Sequence, residues 1–168
     1  MNVLDLAQRT QCDGRGPTCQ LLYHQPGGIH GHADTLRKAE GRTCPIVERL
    51  MREDVPDLKP STFDARCPVG TSKIAMVVHP GEDYHFYRQD ADGWWSHKAG
   101  ATKVTRLDAD GQRIWNPATA KRDYRPRLPL NYVDFCGFYC APRKVAIRLS
   151  RGGGRRKRKT RRAKVKAH

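Results

Sequence analysis

Three residues carry the clearest chemical potential in the chain: Cys19, His85 and His97. A cysteine attacks as its thiolate, and a helix N-terminus or a neighbouring imidazolium lowers its pKa. Cys19 follows Gly16-Pro17-Thr18 near the start of a predicted helix over residues 17–24, while His85 falls in a predicted strand and His97 in the next. That arrangement supplies a nucleophile and two candidate bases. Asp83, Asn131 and Asp134 are open choices for the group that would orient the base. The same residue types also have purely structural roles, because a free Cys often fills a core and a strand His often hydrogen-bonds within a wall.

The other cysteines and histidines point away from metal. Cysteines stand at positions 12, 19, 44, 67, 136 and 140, with no C-x-x-C among them. The close pair Cys136-Gly137-Phe138-Tyr139-Cys140 lacks the knuckle spacing of a structural zinc site, so no metal and no cofactor are expected. The opening residues MNVLDLAQRT have neither a basic n-region nor an apolar h-region, so export by a signal peptide is not expected. The cysteines are then expected as thiols of a cytosol or nucleus, unless a particle that leaves the cell oxidises them late. Cys136 and Cys140 are the candidates for such a disulfide. His24, His30 and His32, in LLYHQPGGIHGH, read as part of a glycine-rich loop. Asp90-Ala91-Asp92-Gly93 and Asp108-Ala109-Asp110-Gly111 lack the twelve-residue calcium loop and its terminal Glu, and so read as turns.

Charge is concentrated at one end. The chain has 32 Lys and Arg against 17 Asp and Glu, a net +15, yet the first 142 residues are nearly balanced. Arg151, before a hinge of three glycines, and Arg155, Arg156, Lys157, Arg158, Lys159, Arg161, Arg162, Lys164 and Lys166 after it have no acid among them. A segment so dense in one charge cannot fold alone. It would neutralise phosphates and release counterions, giving strong, salt-sensitive, sequence-blind nucleic-acid binding, or it would dock on an acidic protein surface. No apolar run approaches the roughly 18 residues of a membrane span.

The elements that must hold these groups read as helices first, then strands. Residues 33–40 and 43–53 are predicted helices, the second with Thr43 as N-cap and Ile46, Val47, Leu50 and Met51 in one stripe. Val55-Pro56 and Lys59-Pro60 mark residues 55–72 as a connecting loop. Strands are predicted at 73–79, 84–89, 94–97, 103–105, 112–115, 132–139 and 144–149. Helices followed by strands predict an α+β fold, one domain over residues 1–150 with an antiparallel sheet, and a basic tail over 151–168. Trp94, Trp95 and Trp115 could stack nucleobases, but the core is expected to need most of the aromatics.

Cys67 to Cys140 resembles a family of small Cys/His proteins found in bacteria and in large double-stranded DNA viruses. The resemblance rests on Asp83-Tyr84-His85-Phe86-Tyr87-Arg88, Trp95-Ser96-His97-Lys98 and Phe135-Cys136-Gly137-Phe138-Tyr139-Cys140. Thr18-Cys19-Gln20-Leu21-Leu22-Tyr23 matches the family's Asn-Cys-x-x-Tyr element imperfectly, with Thr18 in place of Asn and three residues rather than two between Cys19 and Tyr23. The arrangement is similar to the papain-like hydrolases of the NlpC/P60 kind, in which a helical Cys faces a strand-borne His. The resemblance implies a papain-like α+β body with Cys19 as nucleophile and His85 as general base.

Three functions follow as expectations. The first is a virion-associated structural protein of a large DNA virus, lining a capsid and contacting other capsid proteins and either nucleic acid or an acidic neighbour through its tail. It would reside in the host nucleus or cytoplasm before assembly. The second is a cysteine peptidase or amidase. The third is a basic nucleic-acid-binding accessory protein.

Overall fold

The computed structural model describes residues 25–100 and 102–143. The predicted segments at 17–24 and 144–149, the basic tail, and Cys12, Cys19 and His24 lie outside the described residues. Two 3-10 turns, Ala33–Arg37 and Ala39–Gly41, occupy the first of the predicted helices within this range. Extended backbone at Lys38 separates them, and the chain then closes tightly against itself at Gly41. A Cβ there would sit 1.8 Å from the Thr35 carbonyl oxygen, so only glycine fits. Helix α1, Cys44–Asp54, follows with Pro45 in its first turn, where a missing N–H costs nothing. Thr43 occupies the N-cap position but its side chain makes no capping bond. Val47, Leu50, Met51 and Asp54 are buried at helical spacing, and three of the four supply the apolar face that meets the sheet.

The sheet has five antiparallel strands in the order β1-β5-β2-β3-β4. They are β1 Lys59–Ser61, β2 Thr71–His79, β3 Asp83–Gln89, β4 Trp95–His97 and β5 Asp134–Pro142. The predicted strands at 73–79, 84–89, 94–97 and 132–139 correspond to β2, β3, β4 and β5. Those at 103–105 and 112–115 are reduced to single bridges, His97 with Thr105 and Leu107 with Arg113. The expected loop over 55–72 contains β1, a strand hidden by Pro60. Its place on the sheet edge is one where a proline need not donate.

Alternation along the strands sorts the core into two layers. Ile74, Met76, Val78, Phe86, Tyr139 and Ala141 face α1. Ala75, Val77, Tyr87, Trp95 and Phe138 face the other way, under Ile114 and Tyr132 from the long segment between β4 and β5. Arg122 braces that segment by donating to the carbonyls of Tyr132, Pro117 and Ala118. Both faces of the sheet are therefore covered.

The cysteines overturn the thiol expectation. Cys44 is bonded to Cys136 with Cα atoms 5.3 Å apart, and Cys67 to Cys140 at 5.5 Å. Cys136 and Cys140 thus bridge to different partners, because β5 carries a bulge. Met76 pairs with Gly137 and Val77 with Phe135, so Cys136 is skipped in the register. The bulge reverses the alternation on one side of Gly137, whose φ of 140° is open to glycine. Cys136 turns to the α1 face and meets Cys44, while Phe135 and Phe138 both stay in the second layer.

Candidate functional site

The second layer holds a buried polar pair. His85 and Tyr87 lie on the same face of β3, and Tyr87 is in register with His97 on β4. That places His85 diagonal to His97, within reach of a long side chain across two strands. His85 Nε2 is 2.8 Å from His97 Nδ1, and His97 Nε2 is 2.9 Å from the Leu107 carbonyl oxygen. A carbonyl only accepts, so His97 donates from Nε2 and presents Nδ1 as an acceptor. His85 then donates from Nε2, which leaves the lone pair of its Nδ1 as the basic atom of the pair. Burial favours the neutral form of both rings. Burial, then the neighbouring His97, holds His85 well below the ordinary histidine pKa. Burial also lowers His97, opposed by its bond to the Leu107 carbonyl.

Aromatic rings enclose the pair. Tyr87 and Tyr132 have centroids 5.4 and 5.5 Å from that of His85. The Tyr132 hydroxyl donates to Asp83 Oδ2 at 2.6 Å, and burial with this bond raises the phenol's pKa. His85 is only 8% exposed and His97 6%. The hydroxyls of Tyr87 and Tyr124 are buried facing each other, and the indole N–H of Trp95 is buried without a hydrogen-bond partner among the described residues.

The structure brings some of the expected residues together. His85 and His97 are joined directly, a link the sequence listed only as two separate bases. The three proposed orienters do not engage His85. Asp83 holds Tyr132 and the Tyr84 backbone, Asn131 offers its backbone N–H to His79 Nδ1, and Asp134 is exposed on β5. Cys19 lies outside the described residues, as do the ten tail cations. His30 and His32 sit in a loop, as expected, and each has a carboxylate partner: Asp54 at 3.2 Å and Glu53 at 2.8 Å.

Sequence reasoning missed Asp54. It is buried at the end of α1, where a negative charge opposes the helix dipole. It is held there by the backbone N–H groups of Gly27 and Ile29, at 2.7 and 3.2 Å, which fix residues 27–30 against the helix. Its only sequence signal is its place on the apolar stripe of α1. The two Asp-Ala-Asp-Gly segments serve as turns. Asp108 accepts from the backbone of Asp110, Gln112 and Lys121, and Asp90 gathers Arg88, Arg106 and Ser96. Among the described residues no three His, Cys, Asp or Glu side chains converge as metal ligands, and no helix is long and apolar enough to cross a membrane.

No family model matches the chain. No solved structure matches it either. A curated relative does: insoluble matrix shell protein 1 of Ruditapes philippinarum is 33% identical over 138 residues, spanning 82% of each chain. The chain belongs to the family of that protein.

Proposed function

We propose that this member of the insoluble matrix shell protein 1 family is a structural protein of an extracellular matrix, a disulfide-stapled module that associates with other matrix macromolecules. The observation that carries this reading is the identity shared with the matrix relative across most of both chains. Two disulfides support it, since such bonds persist where the surroundings oxidise and are rare in the cytosol. The partner of the tail is then an acidic matrix macromolecule rather than a nucleic acid. The virion setting expected from the sequence has no relative behind it, and the shell relative directs the structural reading to a matrix.

Sequential extraction of the source material tests this. The chain should resist salt and detergent and be released by denaturant with reductant. Recovery in a soluble cytosolic extract overturns the reading.

A second reading, a cysteine hydrolase of the NlpC/P60-like kind, is favoured by one observation: His85 is held by His97 through Nε2, and its Nδ1 has no hydrogen-bond partner among the described residues, as an oriented base would have it. The nucleophile would be Cys19. Iodoacetamide should then label Cys19 selectively at neutral pH, and His85→Ala should abolish that labelling. Cys19 that is unreactive, or equally reactive in both chains, removes the hydrolase.

A further inference from the structure

The residues flanking β4 leave an aromatic corner facing solvent. The Trp95 backbone N–H donates to the Ile114 carbonyl at 3.0 Å, so segments 94–95 and 113–115 run side by side. Side chains alternate along both. Trp95 and Ile114 point inward and are fully buried, while Arg113 and Trp115 are exposed and Trp94 is partly so. Trp115 keeps 56% of its surface in solvent, an unusual outlay of apolar area for so large a side chain. The two indoles meet at 5.3 Å with their planes at 74°, and Phe63 supports Trp115 from behind at 6.2 Å. The Arg113 guanidinium lies over Trp94, 4.4 Å from the ring centroid. No hydrogen bond or ion pair among the described residues engages that guanidinium. The nearby Asp92 is already paired with Arg106 at 2.7 Å.

We propose that Trp94, Arg113 and Trp115 form a binding surface for an acidic polysaccharide. The C–H face of a pyranose ring packs on an open indole. A sugar ring seated on Trp115 brings its anionic substituent to the Arg113 side of the corner, and the oligonucleotide comparison below separates it from a stacked nucleobase. Arg113 is exposed and its guanidinium rests against Trp94, so its planar fork of N–H donors is available to take a carboxylate or sulfate in two parallel hydrogen bonds. The anionic group of the sugar and the guanidinium are complementary in charge and shape. This surface is formed by residues of the folded body and includes none of residues 151–168.

The test uses the full-length oxidised chain in about 0.5 M salt, where exposed charges beyond a few ångströms are screened and tail binding is suppressed. An alginate hexasaccharide supplies carboxylates and a sulfated dextran oligosaccharide supplies sulfates; unmodified dextran and a single-stranded oligonucleotide are the comparisons. Calorimetry and indole fluorescence report binding. At least one anionic oligosaccharide should bind and change the fluorescence, and which one binds identifies the anionic group. Trp115→Ala should weaken it at least tenfold with an unchanged melting temperature, and Arg113→Ala should remove the preference over unmodified dextran. The proposal is overturned if Trp115→Ala binds as the parent does, or if unmodified dextran binds as tightly. It is also overturned if the oligonucleotide binds with the same dependence on Trp115.

Discussion

His85 and His97 are buried side chains of the one residue type whose ordinary pKa lies close to neutral pH. His85 binds its proton less readily in the fold than in the unfolded chain, whose histidines titrate near 6.5. The stability this provides is complete above that pH and is lost as pH falls through and below it, when the unfolded chain takes up the proton first. Thermal melts from pH 8 to pH 5 should therefore show a falling melting temperature, with a shallower slope in His85→Leu/His97→Leu. An equal slope in both chains would show that the pair is not the source. His97→Ala should cost about 2–4 kcal/mol, since it leaves a cavity and a buried His85 N–H without its acceptor; urea unfolding measures it. Both histidines stood out in the sequence by type and by strand. Their pairing did not, because it depends on β3–β4 register, and on a Leu107 carbonyl delivered by an irregular segment with no periodicity to read.

At the scale of elements, the strands with strong apolar or aromatic runs were legible: KIAMVVH and YHFYRQ carry their own signal. The bulge in β5 was not, although Gly137 marks it. A glycine inside a strand pattern has several meanings, and only pairing with β2 reveals which residue is skipped. That single residue decides the disulfide pattern, by turning Cys136 towards α1. Gly137→Val should strain a backbone at φ 140° and press a Cβ to 3.3 Å from the Tyr139 hydroxyl oxygen. A loss of about 1–3 kcal/mol is expected by chemical denaturation. Replacing the Cys67–Cys140 bridge, which closes 73 residues, by two serines should cost about 2–5 kcal/mol. A melting temperature unmoved by that change would mean the bridge does not constrain the unfolded chain. The 3-10 turns at 33–41 were read as one helix because composition favours it, while the extended backbone at Lys38 that separates them carries no residue-type signal.

For the whole molecule, the α+β class and the order of helix before sheet follow from the sequence pattern, whereas the setting does not. The thiol expectation came from the first ten residues, and the two disulfides overturn it. The concentration of positive charge at residues 151–168 stands as a sequence fact and gives a direct expectation. Binding to polyaspartate should fall steeply between about 50 and 200 mM salt and be largely lost on removing those residues. Binding that ignores salt, or survives the truncation, would place the polyanion contact elsewhere. The measurement that bears most directly on the matrix account is peptide mapping of the native chain without reduction. The account predicts Cys44–Cys136 and Cys67–Cys140 cross-linked peptides recovered from the insoluble extracellular residue. The same four cysteines found as free thiols in a soluble intracellular fraction would contradict it.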